Sequence, residues 1–302
     1  MVYQLAEGVN LHVLPTKQYK TIRIFIRFTA RLQQEVITKR SLLSSMLETN
    51  SLNYPDQTKL SAQLAELYGA SFGLSVRKKG NLHWLNAGIS FVNGEYVNDP
   101  NLFSQAVDFL KEVLFYPNIK NHQFDQLTFD LEKNNLRLYL ESLKEDKQTF
   151  ASYALQELYF ENSPEQKIPG LGVVEDLDKI TASSLASYYQ EMMANDQIDI
   201  FVVGDVDPDK AAEAVGQLPF EPRETAHPEL FYPQPQVNIV KERQVREPIV
   251  QAKLNLAYQT NVYYDEPERF ALMVFNGLFG GFPHSKLFMN VREKESLAYY
   301  AS

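Results

Sequence analysis

The chain has 302 residues, 44% of them hydrophobic and 22% charged, enough for roughly two domains that each bury a core. Its 29 basic and 38 acidic residues give a net charge of −9, with no long basic run, which argues against a nucleic-acid surface. It contains no Cys, so disulfides and thiolate zinc sites are excluded and a reducing, cytoplasmic setting is expected. The first residues lack a signal peptide's basic flank and apolar stretch, and no apolar run approaches the ~20 residues that cross a bilayer, so no membrane partner is expected.

Strand signals open the chain at "VNLHVLP", near 9–15, and at "TIRIFIRF", 21–28, where Ile22, Ile24, Ile26 and Phe28 alternate. Two helices are expected next. One lies around 38–49; the other, "DQTKLSAQLAELYG", has Leu60, Leu64 and Leu67 on one face and Gly69 as its stop. Two strands joined at Lys79-Gly80-Asn81 read as a hairpin. A largely helical region covers 99–194; its longest piece, 122–145, carries Phe124, Leu127, Leu131, Leu138 and Leu143 at helical spacings. "QIDIFVVGDVD", 197–207, returns to the strand pattern, and Pro208 opens another helix. This order suggests an α+β domain over 1–218, with helices packed on one face of a mixed or antiparallel sheet.

Residues 219–236 hold five prolines and no periodicity, so 219–246 reads as a semi-rigid linker. The pattern then restarts over 247–302. "PIVQAKLNLAYQT" reads as a strand, "DEPERFALMVFNGLFGG" as a helix ending in glycines, and "HSKLFMNVREKESLAYYAS" as a second helix followed by a strand. Both halves run strand–helix–helix–strand, and "LAELYGAS" resembles "ESLAYYAS", which marks a weak internal repeat. The second copy stops far short of the first, so the chain reads as truncated.

Chemistry is sparse. His12, His83, His122, His227 and His284 are isolated, without the spacing of a compact zinc site. Pairs such as Glu141 and Glu145 read as solvated helix faces. Ser41, Ser44 and Ser45 share a helix, but no His lies near in sequence to activate them, and small hydroxylated residues there suit close helix packing. "GLFGGF" follows a helix and lacks Gly-Lys-Ser/Thr, so it is no phosphate loop; on physics alone it reads as a glycine corner, with Lys286 and Lys294 in water.

"GLFGGFPHSKLFMNVREKESLAYY" resembles the second-domain signature of the insulinase and processing-peptidase family of zinc proteases. There a glycine-rich loop precedes a helix ending in an Arg and a Tyr seven residues apart, which correspond here to Arg292 and Tyr299. The resemblance extends along the whole chain and is strongest to a Gram-positive bacterial group lacking the zinc site, often encoded beside a zinc-bearing relative. It implies duplicated M16-like (LuxS/metallopeptidase-like) α+β domains, each a mixed, mostly antiparallel sheet with helices on one face.

The departure lies in the metal site. Zinc-bearing members carry H-x-x-E-H on the helix after the second strand and a further Glu on a later helix; the paired His bind Zn²⁺ and the Glu acts as general base. The corresponding helix here reads "SLLSS", with Ser41 and Ser45 at the His positions and Ser44 at the Glu position. "LEKNNL" places Asn134 or Asn135 near the third ligand, with Glu132 nearby and off by a helical turn. The resemblance therefore implies no cofactor on this chain and no peptide hydrolysis by it alone. Arg292, Tyr299, Gly277, Gly280, Gly281 and Phe282 would instead serve a substrate-binding or partner site. The implied partners are a zinc-bearing homologue in a heterodimer, or a second copy in a homodimer, and unfolded peptide that adds a strand to a sheet edge near Ser71 to Val76. The alternative is a non-catalytic scaffold or peptide-binding protein that kept the fold.

Overall fold

The computed structural model describes residues 1–224, 229–236 and 239–301. The chain divides into two compact units, Met1–Asn255 and a second beginning at Leu256. His227 lies outside the described residues.

The first unit is built on a six-stranded mixed sheet. Its strands are β1 (Val2–Ala6), β2 (Val9–Pro15), β3 (Thr21–Arg31), β4 (Ser71–Lys79), β5 (Leu82–Val92) and β8 (Gln197–Gly204). They lie in the order β1-β2-β8-β3-β5-β4, with β2–β8 parallel and the other pairs antiparallel. Alternation along β3 decides the layers. Ile22, Ile24, Ile26 and Phe28 point into the core, while Arg23, Phe25 and Arg27 point to the other face. The core face is covered by helices, chiefly α1 (Gln34–Thr49), α3 (Leu102–Phe115), α4 (Gln126–Glu145) and α8 (Ala182–Asn195), with β5 contributing Leu85, Ala87, Ile89 and Phe91. The expected α+β architecture, the hairpin across Gly80 and helices on one face are all present.

Helix starts follow local chemistry. Asp125 accepts from the Thr128 N–H at 3.0 Å to cap α4, and Thr181 and Ser184 form a reciprocal capping box at α8. Asp207, followed by Pro208, caps α9 (Pro208–Val215).

Three expectations change. The helix expected over 122–145 begins at Gln126, preceded by a two-residue hairpin of β6 (Ile119–Lys120) and β7 (Gln123–Phe124). Its core face is Phe129, Leu136 and Leu140, whereas Leu127, Leu131 and Leu138 are 81%, 55% and 56% exposed. Leucines at helical spacing occur on both sides of this helix, so spacing alone could not select the buried one. Finally, neither 248–260 nor the segment after the second expected helix of 247–302 forms a strand among the described residues; Val250 and Leu254 stand in solvent, with no neighbouring strand to complete a ladder.

The proline-rich stretch is tethered. The Leu230 carbonyl accepts from the Asn81 N–H at 2.9 Å, Arg243 pairs with Glu157 at 2.7 Å, and Lys147 with Glu247 at 2.8 Å. Lys241 pairs with Glu161 on the same surface, where α5 (Lys147–Tyr159) ends. The second unit contains α10 (Arg269–Asn276), a π-type turn over Gly277–Gly281 and a π-helical segment over Phe288–Lys294.

Candidate functional site

Ser41, Ser44 and Ser45 lie on α1, whose face toward the sheet is fixed by Leu42, Leu43 and Met46. Ser41 and Ser44 are buried, and every hydroxyl of the three is turned back onto its own helix. The Ser44 hydroxyl donates to the Ser41 carbonyl at 2.8 Å; Ser41 donates to Ile37 at 3.4 Å and Ser45 to Ser41 at 3.5 Å. These groups offer no anionic or imidazole donor, and no cluster of three His, Asp or Glu side chains able to hold a metal occurs among the described residues. The donor set does not fit zinc, which needs imidazole or carboxylate here because thiolate is absent from the sequence.

On α4, Asn134 and Asn135 are exposed. The α4 residue that bears electrostatically on α1 is Glu132. Glu48, at the C-terminal end of α1, has its carboxyl pushed up by the desolvation it suffers and by the nearby Glu132 charge; the hydrogen bond from Leu74 pulls it down. Glu48 Oε2 accepts from the Leu74 N–H at 3.1 Å. That N–H lies on the outer edge of β4, the edge expected to receive a peptide near Ser71 to Val76. A side chain of this chain already satisfies it.

The residue immediately before the serines was not identified from sequence. Arg40 is fully buried and donates to Tyr188 Oη at 2.9 Å and to the carbonyls of Phe28 and His83, both at 3.2 Å; it also pairs with Asp196. Burial opposes its charge, but Asp196 and Tyr188 outweigh burial and hold its pKa above the usual guanidinium value. Arg223 donates to the carbonyls of Met193 and Asp196 beside it. His83, buried near Arg40, is lowered to about 3, first by desolvation and then by the Arg40 charge, so it is neutral at pH 7; its Nε2–H donates to the Gly170 carbonyl at 3.0 Å. Burial lowers Lys78 to about 8 while its ammonium donates to the carbonyls of Gln166 and Ile168. No sequence signal marks these groups, because Arg40 and Asp196 are 156 residues apart.

In the second unit the glycine loop has a steric cause. A Cβ on Gly277 would lie 2.4 Å from the Phe282 ring, and the Phe282 N–H donates to the Gly277 carbonyl at 2.9 Å. Gly277 and Gly280 are buried, Gly281 is exposed, and the Phe282 ring stacks on His284 at 5.5 Å. The following segment brings Arg292 and Tyr299 together, with the guanidinium 5.2 Å from the Tyr299 ring centre and 4.5 Å from that of Phe288. Tyr299 is 81% exposed. This is a cation and a phenol presented side by side at a surface.

Similarity to known proteins extends along the whole chain. Residues 179–302 match the family described as Peptidase M16 inactive domain. The chain is 34% identical over 297 residues to "Probable inactive metalloprotease YmfF" of Bacillus subtilis (strain 168), covering 98% of this chain and 69% of that protein. A crystal structure of a conserved protein from Enterococcus faecalis V583 is 60% identical with a TM-score of 0.96, covering 100% of this chain and 71% of that one. A peptidase M16 inactive domain from Pseudomonas fluorescens has the same fold at 18% identity, with a TM-score of 0.70, over 99% of this chain and 69% of that one. With 34% identity along 98% of its length to a bacterial metalloprotease homologue and the same fold as a peptidase M16 domain, the chain belongs to the M16 peptidase family.

Proposed function

We propose that this chain is the non-zinc subunit of a two-subunit peptidase, pairing in the cytoplasm with a zinc-bearing homologue to bind and process unfolded peptides. The single observation that carries this reading is the Arg292–Tyr299 pair: a guanidinium stacked on a solvent-facing phenol, on a chain whose own α1 offers only hydroxyls. Arg292 would hold a substrate carbonyl or carboxylate, and Tyr299 Oη would donate to the oxyanion formed at the partner's zinc. The loop of Gly277, Gly280, Gly281 and Phe282 would let the backbone approach the peptide closely. Peptide hydrolysis is expected only when the zinc-bearing homologue is added. Arg292→Ala or Tyr299→Phe should lower that activity ~10²-fold, the order expected for one lost oxyanion donor. Full activity of the variants in the assembled pair refutes the catalytic role.

One observation favours a second reading, a non-catalytic scaffold that kept the peptidase fold. The Glu48 carboxylate already occupies the Leu74 N–H on the β4 edge. A stable homodimer, with no zinc-bearing homologue co-purifying, supports this alternative.

A further inference from the structure

The face of the six-stranded sheet turned away from the helices has a composition at odds with the rest of the chain. Strand pairing puts Arg23, Arg27 and Arg31 of β3, and Arg77 and Lys79 of β4, on this face. The acid that the strands place there is Asp199, which is engaged by His12 at 3.3 Å and by Asn10 at 3.4 Å. A protein of net charge −9 thus concentrates five cations on one surface. Chance scatter of charge on a solvated face does not require that arrangement.

The cations are organised around aromatic rings. Arg27 lies 4.3 Å from the Trp84 ring centre, 5.4 Å from Phe25 and 5.9 Å from Phe201, and its Nε–H donates to Asn86 Oδ1 at 3.2 Å. Desolvation among these rings and repulsion from Arg77 lower its pKa, while Asp199 pulls it up. His12 stacks on Phe201 at 4.7 Å, extending the aromatic row across β2 and β8.

Beside this row is a depression of about 410 Å³, the size of a small-ligand pocket. Its floor is the cross-strand pair Gly73 and Gly88. A Cβ on Gly88 would sit 3.7 Å from the Phe25 ring and 3.8 Å from Arg23 Nη2, so the glycine leaves open space directly under a guanidinium. The φ of neither glycine is positive, so backbone conformation is not what calls for glycine at these positions. Ser71, Ser75 and Ser90 supply hydroxyls around the rim. Glu48 stands at the outer margin, with Oε1 3.5 Å from the Gly73 Cβ position and Oε2 held by the Leu74 N–H.

We propose that this open face of the sheet binds acidic segments of extended polypeptide, with the Gly73–Gly88 depression taking a carboxylate-bearing side chain beneath Arg23. From the register level of Arg23 to that of Arg31 and Lys79 is roughly 26 Å along the strands, the span of about eight extended residues. Several carboxylates on one short segment can therefore meet cations along its length. A polypeptide is favoured over nucleic acid because the net −9 of the chain repels a continuous polyanion, whereas a short segment with a few carboxylates meets only the local field.

The proposal rests on the reading of this chain as a peptide-binding subunit, but it concerns residues of the first unit and not the Arg292–Tyr299 pair. Its test uses the isolated full chain, so failure to reconstitute peptidase activity leaves it standing. The probes are a labelled, unstructured ten-residue peptide containing four Glu, the same peptide with Lys in place of Glu, and a single-stranded ten-nucleotide DNA, followed by fluorescence anisotropy at two salt concentrations. The acidic peptide should bind at least about tenfold more tightly than the Lys peptide and weaken with salt. The double substitution Arg23→Glu with Arg77→Glu, at exposed positions, should abolish that preference with the far-UV spectrum unchanged. Gly88→Val, which fills the depression without altering charge, should weaken the acidic peptide several-fold and keep its salt dependence. Equal binding of both peptides, a preference that survives the double substitution, or DNA binding as tight as that of the acidic peptide would each overturn the proposal.

Discussion

The two units spend their apolar residues in opposite ways. In the first, Ile24, Ile26, Phe28 and Leu42 are completely buried between sheet and helices. In the second, Phe270, Met273, Phe275, Leu278 and Phe279, on or just after α10, remain 46% to 67% exposed. Both stretches are rich in apolar residues. The difference lies in what stands behind the helix. An eight-residue helix gains little from propensity, and its apolar stripe becomes a core only when a sheet covers it. The first unit owns such a sheet; the described part of the second has no strand.

Substitutions should expose this contrast. Asp196→Ala strands the Arg40 charge in the core of the first unit and should cost about 3–5 kcal/mol, measured by urea unfolding. Ile26→Ala, which opens a cavity between β3 and the helices, should cost about 2–5 kcal/mol. Phe275→Ala in the second unit should stay within about 0.5 kcal/mol of the parent. A cost for Phe275→Ala equal to that for Ile26→Ala would mean that the two units are packed alike.

Acid should act through the first unit. His83 has its pKa lowered in the fold from 6.5 to about 3, so unfolding takes up a proton between those values. Its contribution to stability is fully present above pH 6.5 and declines as pH falls toward 3. His83→Gln keeps a donor for the Gly170 carbonyl and removes the titration. The slope of stability against pH in that window should then flatten by about one proton, and an unchanged slope would place the titration elsewhere. An effect as small as that of Phe275→Ala is expected at Ser44→Ala, about 0.5 kcal/mol or less in either direction, because a back-bonded helical hydroxyl is exchanged for the best helix former.

Much of the first unit was legible in the sequence. Strict alternation in 21–28 gave β3 both its existence and its buried face, and the glycine between Lys79 and Asn81 gave the β4–β5 hairpin. Helix α4 was legible in its existence and its C-terminal end but wrong in its start and its face, since Leu127, Leu131 and Leu138 look as suitable for a core as Phe129, Leu136 and Leu140. The strand expected over 248–260 carries a fair local pattern, but a strand exists only through a neighbour, which local pattern cannot supply. At the candidate site the serines and the Arg–Tyr spacing were readable as a motif. Arg40 and Glu48 were not, because their roles depend on Asp196 and Leu74, and Glu132 was noted beside the motif without its approach to Glu48 of α1.

The central claim is that α1 presents hydroxyls where a zinc site would need imidazole and carboxylate. Its most direct test is the zinc content of the purified chain after dialysis against excess zinc and then metal-free buffer. The account predicts well under about one zinc per ten chains, since Ser41, Ser44 and Ser45 have no donor set for the ion. One tightly held zinc per chain, lost when those serines are replaced by Ala, would contradict it.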